Sequence, residues 1–350
     1  MPSSSYAVLD EALERLAPYD INLVNGNANH APMVAETLCA LGRPAAVLPW
    51  IEAYRPRLLS RSSPADRIES GEWPAMLGRR DGFTTWSSFF GEELEVAPWR
   101  DVLDLWALRL APGLSGAATH GVIRAGHAVR ALAQAETQIR LRELADALGS
   151  WAASYSELPG TPPATPRRMS PREAIRVLPV VPLEQRRPGN ISAALDRLAE
   201  FPEFASAIGL IEPAGDLDER VAELGDIFAR VYLANITTTL TVIAFIHGVT
   251  SLHAIGNILP QVSGATGHRL VLYGWQGGCG LYSCFGNGAV MAEEVEPMTE
   301  NPERLIDRAV ANGDEHAIKF TEACLHLNTL YPSAAYPLAV RHALGALGQR

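Results

Sequence analysis

The sequence has little of what marks three classes of protein: cysteines, basic runs and long apolar segments. Its 4 cysteines are scattered over 350 residues, so we expect free, mostly buried thiols rather than a disulfide framework. The net charge of -10, without any basic run, argues against a nucleic-acid partner. The longest apolar segment, around residues 239–247, is too short for a membrane span. We therefore expect a soluble cytoplasmic protein with no membrane partner.

Lysine is the scarcest charged residue. Lys319 is the only one, and all other members of the Lys+Arg total of 29 are arginine. Either a bias toward arginine has left one lysine on a solvated helix face, or position 319 needs a primary amine. A desolvated lysine can lose its proton, and the neutral amine can react with carbon dioxide to give a carbamate, an anionic metal ligand. His316 lies one helical turn away on the same face, so the two would make half of a metal site.

Hydrophobic residues make up 47% of the chain and recur mostly at helical intervals. We predict a mostly α fold, a multi-helix bundle with long proline-rich connections, in a single domain over residues 1–350. The main interruption is a proline-rich crossover near 158–190. Gly313 and Asp314 are predicted to form a turn and an N-cap before a final helix. The other predicted helices include 7–17, 32–41, 45–54, 99–110, 135–155, 192–212, 216–232, 236–247 and 303–311, with connections alone from 55 to 80.

Four histidines stand in apolar or small-residue contexts on separate predicted helices. They are His30, His120, His247 and His316. Each alone has an ordinary explanation, as a cap or as a core residue bonded to backbone carbonyls. Bundle cores nevertheless build metal sites from one inward ligand on each of several helices, so the pattern leaves both interpretations open. His127 shares a face with His120 and is an equal candidate, whereas His253 points away from the face of His247.

Residues 269–291 are rich in glycine but match no nucleotide-binding fingerprint. We interpret this stretch as a small-residue helix face against which another helix or a flat ligand packs. Its aromatic residues Trp275, Tyr282 and Phe285 are candidates for lining an aromatic-binding pocket, although core packing is the commoner role of each.

Four motifs, taken in order, resemble the questin oxidase family. They are Asn29-His-Ala-Pro-Met33, Leu110-Ala-Pro-Gly-Leu-Ser-Gly-Ala-Ala-Thr-His-Gly-Val-Ile-Arg124, His247-Gly-Val-Thr250 and Asp314-Glu-His-Ala-Ile-Lys319. The resemblance extends from about residue 25 to 330. The better-known members of that family are fungal enzymes that oxidatively open anthraquinone-type rings of polyketides.

The resemblance implies a mononuclear non-heme iron centre. Carried over by motif, its ligands are His30, His120, His247, His316 and Lys319, with the lysine carboxylated. In related chains a tyrosine is accepted at the position of His127, which makes that residue a neighbour rather than a ligand. Some members are said to require NADPH, but no nicotinamide-binding motif is visible here.

From these residues we predict an oxidoreductase, an Fe(II) oxygenase that uses dioxygen on a small aromatic substrate. The reaction would be a Baeyer-Villiger-like or dioxygenase opening of a polycyclic, anthraquinone-type ring. Five ligands would leave one octahedral position open, which suits iron better than zinc. Arg124, one turn from His120, is a candidate for orienting a metal ligand from outside the metal's own coordination or for binding a substrate carbonyl. The alternatives are a zinc or manganese hydrolase at the same histidines and a metal-free helical binding protein.

Overall fold

The chain folds almost entirely into α-helices. The computed structural model describes residues 4–64, 66–69, 71–213, 215–296 and 300–348. The helices are α1 (Leu9–Leu16), α2 (Ala31–Ala40), α3 (Val47–Tyr54), α4 (Trp73–Met76), α5 (Phe83–Val96), α6 (Trp99–Leu110), α7 (His120–Gln134), α8 (Gln138–Ala153), α9 (Pro171–Ala174), α10 (Ile191–Asp196), α11 (Leu217–Asn235), α12 (Thr239–Ile258), α13 (Gly264–Phe285), α14 (Pro302–Asn312), α15 (Glu315–Leu330) and α16 (Ala335–Ala346). The predicted mostly α class is confirmed.

Short 3₁₀ turns connect many of these helices. They are Ser4–Tyr6, Pro44–Ala46, Arg55–Arg57, Arg80–Gly82, Ala111–Gly113, Ile175–Val177, Leu183–Gln185, Arg197–Glu200, Pro202–Gly209 and Leu259–Gln261. Several begin with or contain proline, whose fixed φ suits a tight first turn. The predicted helix 192–212 is therefore one short α-helix followed by two 3₁₀ segments.

Helix α12 is the centre of the bundle. It packs against α7, α11, α13 and α15. A capping box between Thr238 and Thr241 fixes where it begins. The apolar segment predicted at 239–247 is part of a longer helix that ends at Ile258. The prediction that this segment is too short for a membrane span was therefore wrong. Thr239–Gln261 has the length and composition to cross a membrane, but 78% of its most apolar window is buried inside the described fold, as in a core helix.

A two-stranded antiparallel sheet was not predicted from the sequence. Strand β1 (Tyr19–Leu23) pairs with β2 (Leu58–Ser60), with Leu23 opposite Leu58. Strands of this length give too few residues for an alternating pattern to be recognised. The sheet is nevertheless important, because it positions the loop that carries His30 into α2.

Several other boundaries differ from the predictions. Residues 135–155 contain a helix, as predicted, but it does not continue the preceding one, because α7 ends at Gln134 and Thr137 caps the separate helix α8. Connections alone were expected from 55 to 80, but β2 and α4 lie there, and α16 was not predicted. The glycine-rich stretch is helical, as interpreted, within α13. The four cysteines are free and buried, as expected. One hydrophobic cluster contains residues from before and after the 158–190 crossover. The assignment of the chain to a single domain stays a prediction.

Gly126 sets the distance between α7 and α12. A Cβ atom at this position would lie 2.6 Å from Cα and Cβ of Ala254. We expect Gly126→Ala to lower the free energy of unfolding by about 1–3 kcal/mol, because the helices must move apart. Gly91, within α5, has open space around its Cβ position. Gly91→Ala should therefore stabilise the protein by about 0.5–1 kcal/mol. Urea unfolding of both variants measures the contrast, and equal effects would contradict the close-packing role of Gly126.

Candidate metal centre

The four predicted histidines converge from four parts of the chain. His30 immediately precedes α2, His120 begins α7, His247 lies in the middle of α12 and His316 lies in the first turn of α15. Their rings form a closed quadrilateral. Its sides, measured between ring centroids, are 4.7 Å from His30 to His120, 4.7 Å from His120 to His247, 5.7 Å from His247 to His316 and 4.6 Å from His316 to His30.

The Nε2 atoms of three rings meet at short range. Nε2 of His120 lies 2.8 Å from Nε2 of His30 and 3.3 Å from Nε2 of His247. Nδ1–H of His247 donates to the carbonyl of Ile243 at 2.7 Å, and Nδ1–H of His120 donates to the carbonyl of Ala117. A neutral imidazole that carries its proton on Nδ1 has only a lone pair on Nε2. The Nε2 atoms of His120 and His247 therefore face each other without a proton between them.

The backbone before His120 is strained in a way that serves this geometry. Ala117, Ala118 and Thr119 are consecutive residues with φ of 47°, 55° and 68°. Left-handed conformations cost about 1–2 kcal/mol for each residue with a side chain. The left-handed turn brings the carbonyl of Ala117 to Nδ1 of His120, which fixes the tautomer of that ring. Such strain concentrates at functional sites.

Burial keeps three of the converging histidines, His30, His120 and His247, neutral. Desolvation, together with the charge of Lys319, lowers the pKa of His120 to about 3. Desolvation likewise lowers the pKa of His30 and of His247 well below the ordinary value, with neighbouring groups adding to the effect. Nδ1 of His30 and Nδ1 of His316 are buried without a hydrogen-bond partner, although Oδ1 of Asp314 lies 3.4 Å from Nδ1 of His316. Neutral imidazoles with inward lone pairs are the form that binds metals.

Lys319 is buried in surroundings that do little to stabilise a charge. It is 3% exposed, and Nζ contacts Sδ of Met33, a weak acceptor, at 3.9 Å. Desolvation lowers its pKa to about 8, despite the opposing charges of Glu315 and Asp314. The interpretation of Lys319 as a solvated surface residue was therefore wrong. As predicted, Gly313 has a left-handed turn conformation and Asp314 caps α15.

An open cavity of about 280 Å³ leads to the rings, and we call it the histidine cavity. Its wall mixes polar and apolar side chains. Besides the four histidines it is lined by Ile21, Asn22, Gly26, Asn27, Ala28, Arg57, Arg80, Ala117, Ala118, Ser150, Ala153, Ser154, Asn190, Ile191, Ser192, Leu240, Ile243 and Glu315. Amide and hydroxyl groups are thus available to hydrogen-bond a ligand close to the rings.

Glu315 was missed by the sequence reasoning. Donor atoms of His30, Glu315 and His316 all lie within 4.8 Å of one another, which makes the carboxylate a further possible metal ligand. Arg57 holds it through two bonds, Nη2 to Oε1 at 2.7 Å and Nη1 to Oε2 at 3.1 Å. The guanidinium also lies 4.4 Å from the ring centroid of Tyr54, whose hydroxyl accepts from the backbone N–H of His30. The sequence did contain a signal for Glu315, because it directly precedes His316 within the motif Asp314-Glu-His-Ala-Ile-Lys319.

Arg124 does not lie on the wall of the histidine cavity. Its guanidinium is paired with Glu143, with Nε to Oε1 at 2.6 Å and Nη2 to Oε2 at 2.8 Å, and Asp146 lies 3.8 Å away. The residue points to the side of α7 that faces α8, so the structure gives no support to a substrate contact.

The three candidate aromatic residues of α13 also lie elsewhere. Trp275 is fully buried and donates from Nε1 to the carbonyl of Ala207 at 2.9 Å. Tyr282 belongs to the hydrophobic core, and Phe285 lines a different cavity beside Arg186 and Phe201. None of the three is among the residues of the histidine cavity.

His127 and His253 face a separate polar network. The spacing from His247 predicted this for His253, whereas the spacing from His120 made His127 an equal ligand candidate. Nδ1 of His127 lies 2.7 Å from Oε2 of Glu36, and Nε2 of His253 lies 3.0 Å from Nδ1 of His326. His127 lies two helical turns from His120 along α7 and is not among the four converging histidines.

With this geometry in place, comparison with known proteins identifies the family. The model of the Questin oxidase-like family matches residues 28–324, which include all four histidines and Lys319. The chain belongs to the questin oxidase-like family. Membership of this family implies an oxidoreductase of the oxidase or oxygenase kind, acting on polyketides. No curated protein shows significant similarity to the chain.

The residues present fit a metal ion of the kind that this family resemblance implied. The Nε2 separations of 2.8 and 3.3 Å match the separation of about 3 Å between neighbouring nitrogens on an ion with metal–nitrogen bonds of about 2.0–2.1 Å. Without an ion, the Nε2 lone pairs of His120 and His247 repel each other. A bound cation would instead attract all four imidazoles. A carboxylated Lys319 would add an oxygen donor and a negative charge.

Proposed function

We propose that the chain is a non-heme iron oxygenase that opens a ring of a small anthraquinone-type polyketide. The observation that carries the proposal is the pair of facing Nε2 lone pairs of His120 and His247, each fixed by a backbone carbonyl. Buried acceptors that face each other with no donor are unfavourable unless a cation lies between them. Nitrogen and oxygen donors with an open position suit Fe(II).

Each residue then has a defined part. His30, His120, His247, His316 and a carboxylated Lys319 would hold the iron, which when bound supplies the means to activate dioxygen. The carbonyls of Ala117 and Ile243 hold two of the rings in the ligating tautomer. Arg57 keeps Glu315 oriented beside the rings, where its carboxylate can accept a hydrogen bond from a phenolic substrate.

The cavity favours a compact, oxygen-rich aromatic substrate. Its volume of about 280 Å³ is near the lower end of the usual range for small-molecule pockets, about 300–1,000 Å³. Asn22, Asn27, Asn190 and Arg80 offer donors to carbonyl and hydroxyl oxygens. Cleavage of a carbon–carbon bond beside a ring carbonyl is the reaction we propose. Dioxygen and this substrate are the partners, in the cytoplasm, and NADPH would be the electron donor if one is needed.

Turnover under labelled dioxygen tests this function directly. Protein loaded with Fe(II) and given a hydroxylated anthraquinone should consume oxygen and yield a ring-opened acid that contains ¹⁸O from ¹⁸O₂. His247→Ala should lose at least about 100-fold in rate, because a ligand is removed. The matched control His268→Ala removes an exposed histidine of α13 and should keep full activity.

Two outcomes would overturn the proposal in favour of the alternatives. Stoichiometric zinc or manganese with product formation in the absence of oxygen would indicate a hydrolase at the same histidines. Absence of metal after anaerobic iron reconstitution would indicate a metal-free binding protein, for which His30→Ala and His247→Ala should lower stability equally with and without added metal.

A further inference from the structure

A second group of metal-binding side chains lies between α12 and α15, and none of its members lines the histidine cavity. We call it the α12–α15 cluster, formed by His253, Glu322 and His326. Glu322 and His326 are four residues apart on α15 and therefore share a face, which meets His253 of α12. The donor atoms of the three residues all lie within 4.8 Å of one another.

The spacing of these donor atoms matches that around a single ion. Nε2 of His253 lies 3.0 Å from Nδ1 of His326 and 3.5 Å from Oε1 of Glu322. Ligands of a tetrahedral zinc ion with bonds of about 2.0–2.1 Å are about 3.3 Å apart. Two imidazoles and one carboxylate, with the remaining position open to water, are a donor set that zinc and iron proteins use.

An unpaired carboxylate oxygen points to a missing partner. Glu322 is 5% exposed, and its Oε2 atom is buried without a hydrogen-bond partner. The surroundings also hold more negative than positive charge. Glu36 and Glu322 share one guanidinium, that of Arg130, and burial lowers the pKa of the adjacent His127. A buried carboxylate left in this state is costly unless a cation completes its environment.

Arg130 would compete with a cation at the cluster. Its Nη1 lies 2.6 Å from Oε1 of Glu322 and 3.4 Å from Nε2 of His253. An ion at the measured spacing from His253 would share Oε1 with the guanidinium, which can keep both of its bonds to Glu36. A rotation of the carboxylate would bring the unpaired Oε2 to the ion instead. Only the long contact to His253 needs to be given up.

We propose that His253, Glu322 and His326 form a second, zinc-binding site that ties α12 to α15. Those helices also carry His247, His316 and Lys319, so an ion here would stabilise the relative position of the two helices that line the histidine cavity. His326 is exposed, so the ion exchanges with solvent. The site rests on donor geometry and does not depend on the function proposed above.

Zinc stoichiometry tests the second site without reference to activity. Metal-free protein is equilibrated with zinc, freed of unbound ion and analysed by plasma mass spectrometry. We expect two equivalents in wild type and in His268→Ala, and one in both His326→Ala and His247→Ala. Because His326 is exposed, its replacement should leave the fold intact, and zinc should raise the melting temperature of wild type more than that of His326→Ala.

The possible results separate the two sites. One equivalent in wild type that is lost in His326→Ala but kept in His247→Ala would support the α12–α15 site and show that the four-histidine centre does not take zinc. Equal zinc in wild type and His326→Ala would overturn the second site, whatever the total. No zinc in wild type would also overturn the second site, while the iron centre is tested separately by its iron content.

Discussion

Lys319→Arg is expected to purify without iron, whereas wild type carries close to one equivalent at the histidine cavity. Arginine cannot be carboxylated, because its guanidinium stays protonated, and it would add a positive charge beside four inward-facing imidazoles. Loss of a residue that merely orients a ligand costs about 10–100-fold in metal affinity, so losing a ligand and adding a charge should cost more. Plasma mass spectrometry on both proteins, purified side by side, gives the result.

Two further variants separate the carbamate from simple packing. Lys319→Met keeps an apolar side chain of similar length beside Met33, and should fold but bind no iron. Lys319→Ala leaves a space in which added acetate or propionate can supply the missing carboxylate, so iron binding and activity should partly return. Wild type prepared with ¹³C-bicarbonate should show a carbamate resonance by NMR, and both variants should lack it. Stoichiometric iron in folded Lys319→Met would refute the role of the lysine.

The helical architecture was readable from the sequence because it depends on local pattern. Apolar residues at helical spacing predicted most of the long helices, and the cap at Asp314 was predicted from Gly313-Asp314 alone. The failures lie where the signal is short or nonlocal. Strand β2 has three residues, and the helical continuation of α12 past His247 begins at Gly248, a poor helix former. Boundaries such as Thr137, which caps α8, depend on one side chain.

The candidate site was predictable only in part, for a related reason. The sequence singles out four histidines and one lysine, but no spacing rule states that the rings of His30 and His120, ninety residues apart, touch at Nε2. Equally, nothing local shows that Trp275 and Phe285 face away from these rings. The left-handed turn before His120 has no sequence signature, since it contains two alanines and a threonine where glycine is the usual choice.

Arg130→Met is expected to lower the free energy of unfolding of the metal-free protein by about 3–5 kcal/mol, because it leaves buried carboxylates without their counterion. The guanidinium joins three helices. Its Nε and Nη2 bind Glu36 of α2 at 2.7 and 2.6 Å, and its Nη1 binds Glu322 of α15 at 2.6 Å. Arg67→Met is the matched control, since the Arg67–Glu92 pair is exposed and its loss should cost less than about 1 kcal/mol. Urea unfolding at neutral pH measures both.

The pH dependence of this difference distinguishes lost charge pairing from lost packing. Burial alone would raise the pKa of Glu36, but Arg130 and His127 outweigh it and hold that pKa well below its ordinary value of 4.5. A carboxyl with a depressed pKa stabilises the fold above its ordinary pKa, and this contribution is lost as the pH falls through the folded-state pKa. In Arg130→Met, burial would dominate and raise the pKa, so protonation would stabilise the variant. The gap between the two proteins should therefore begin to narrow above about pH 4.5, as the variant takes up protons, and narrow further below it, as wild type loses its charge pairing. Glu36→Gln/Arg130→Met should recover part of the loss at neutral pH. A gap that stayed constant with pH, with no recovery in the double variant, would show that Arg130 contributes through packing alone.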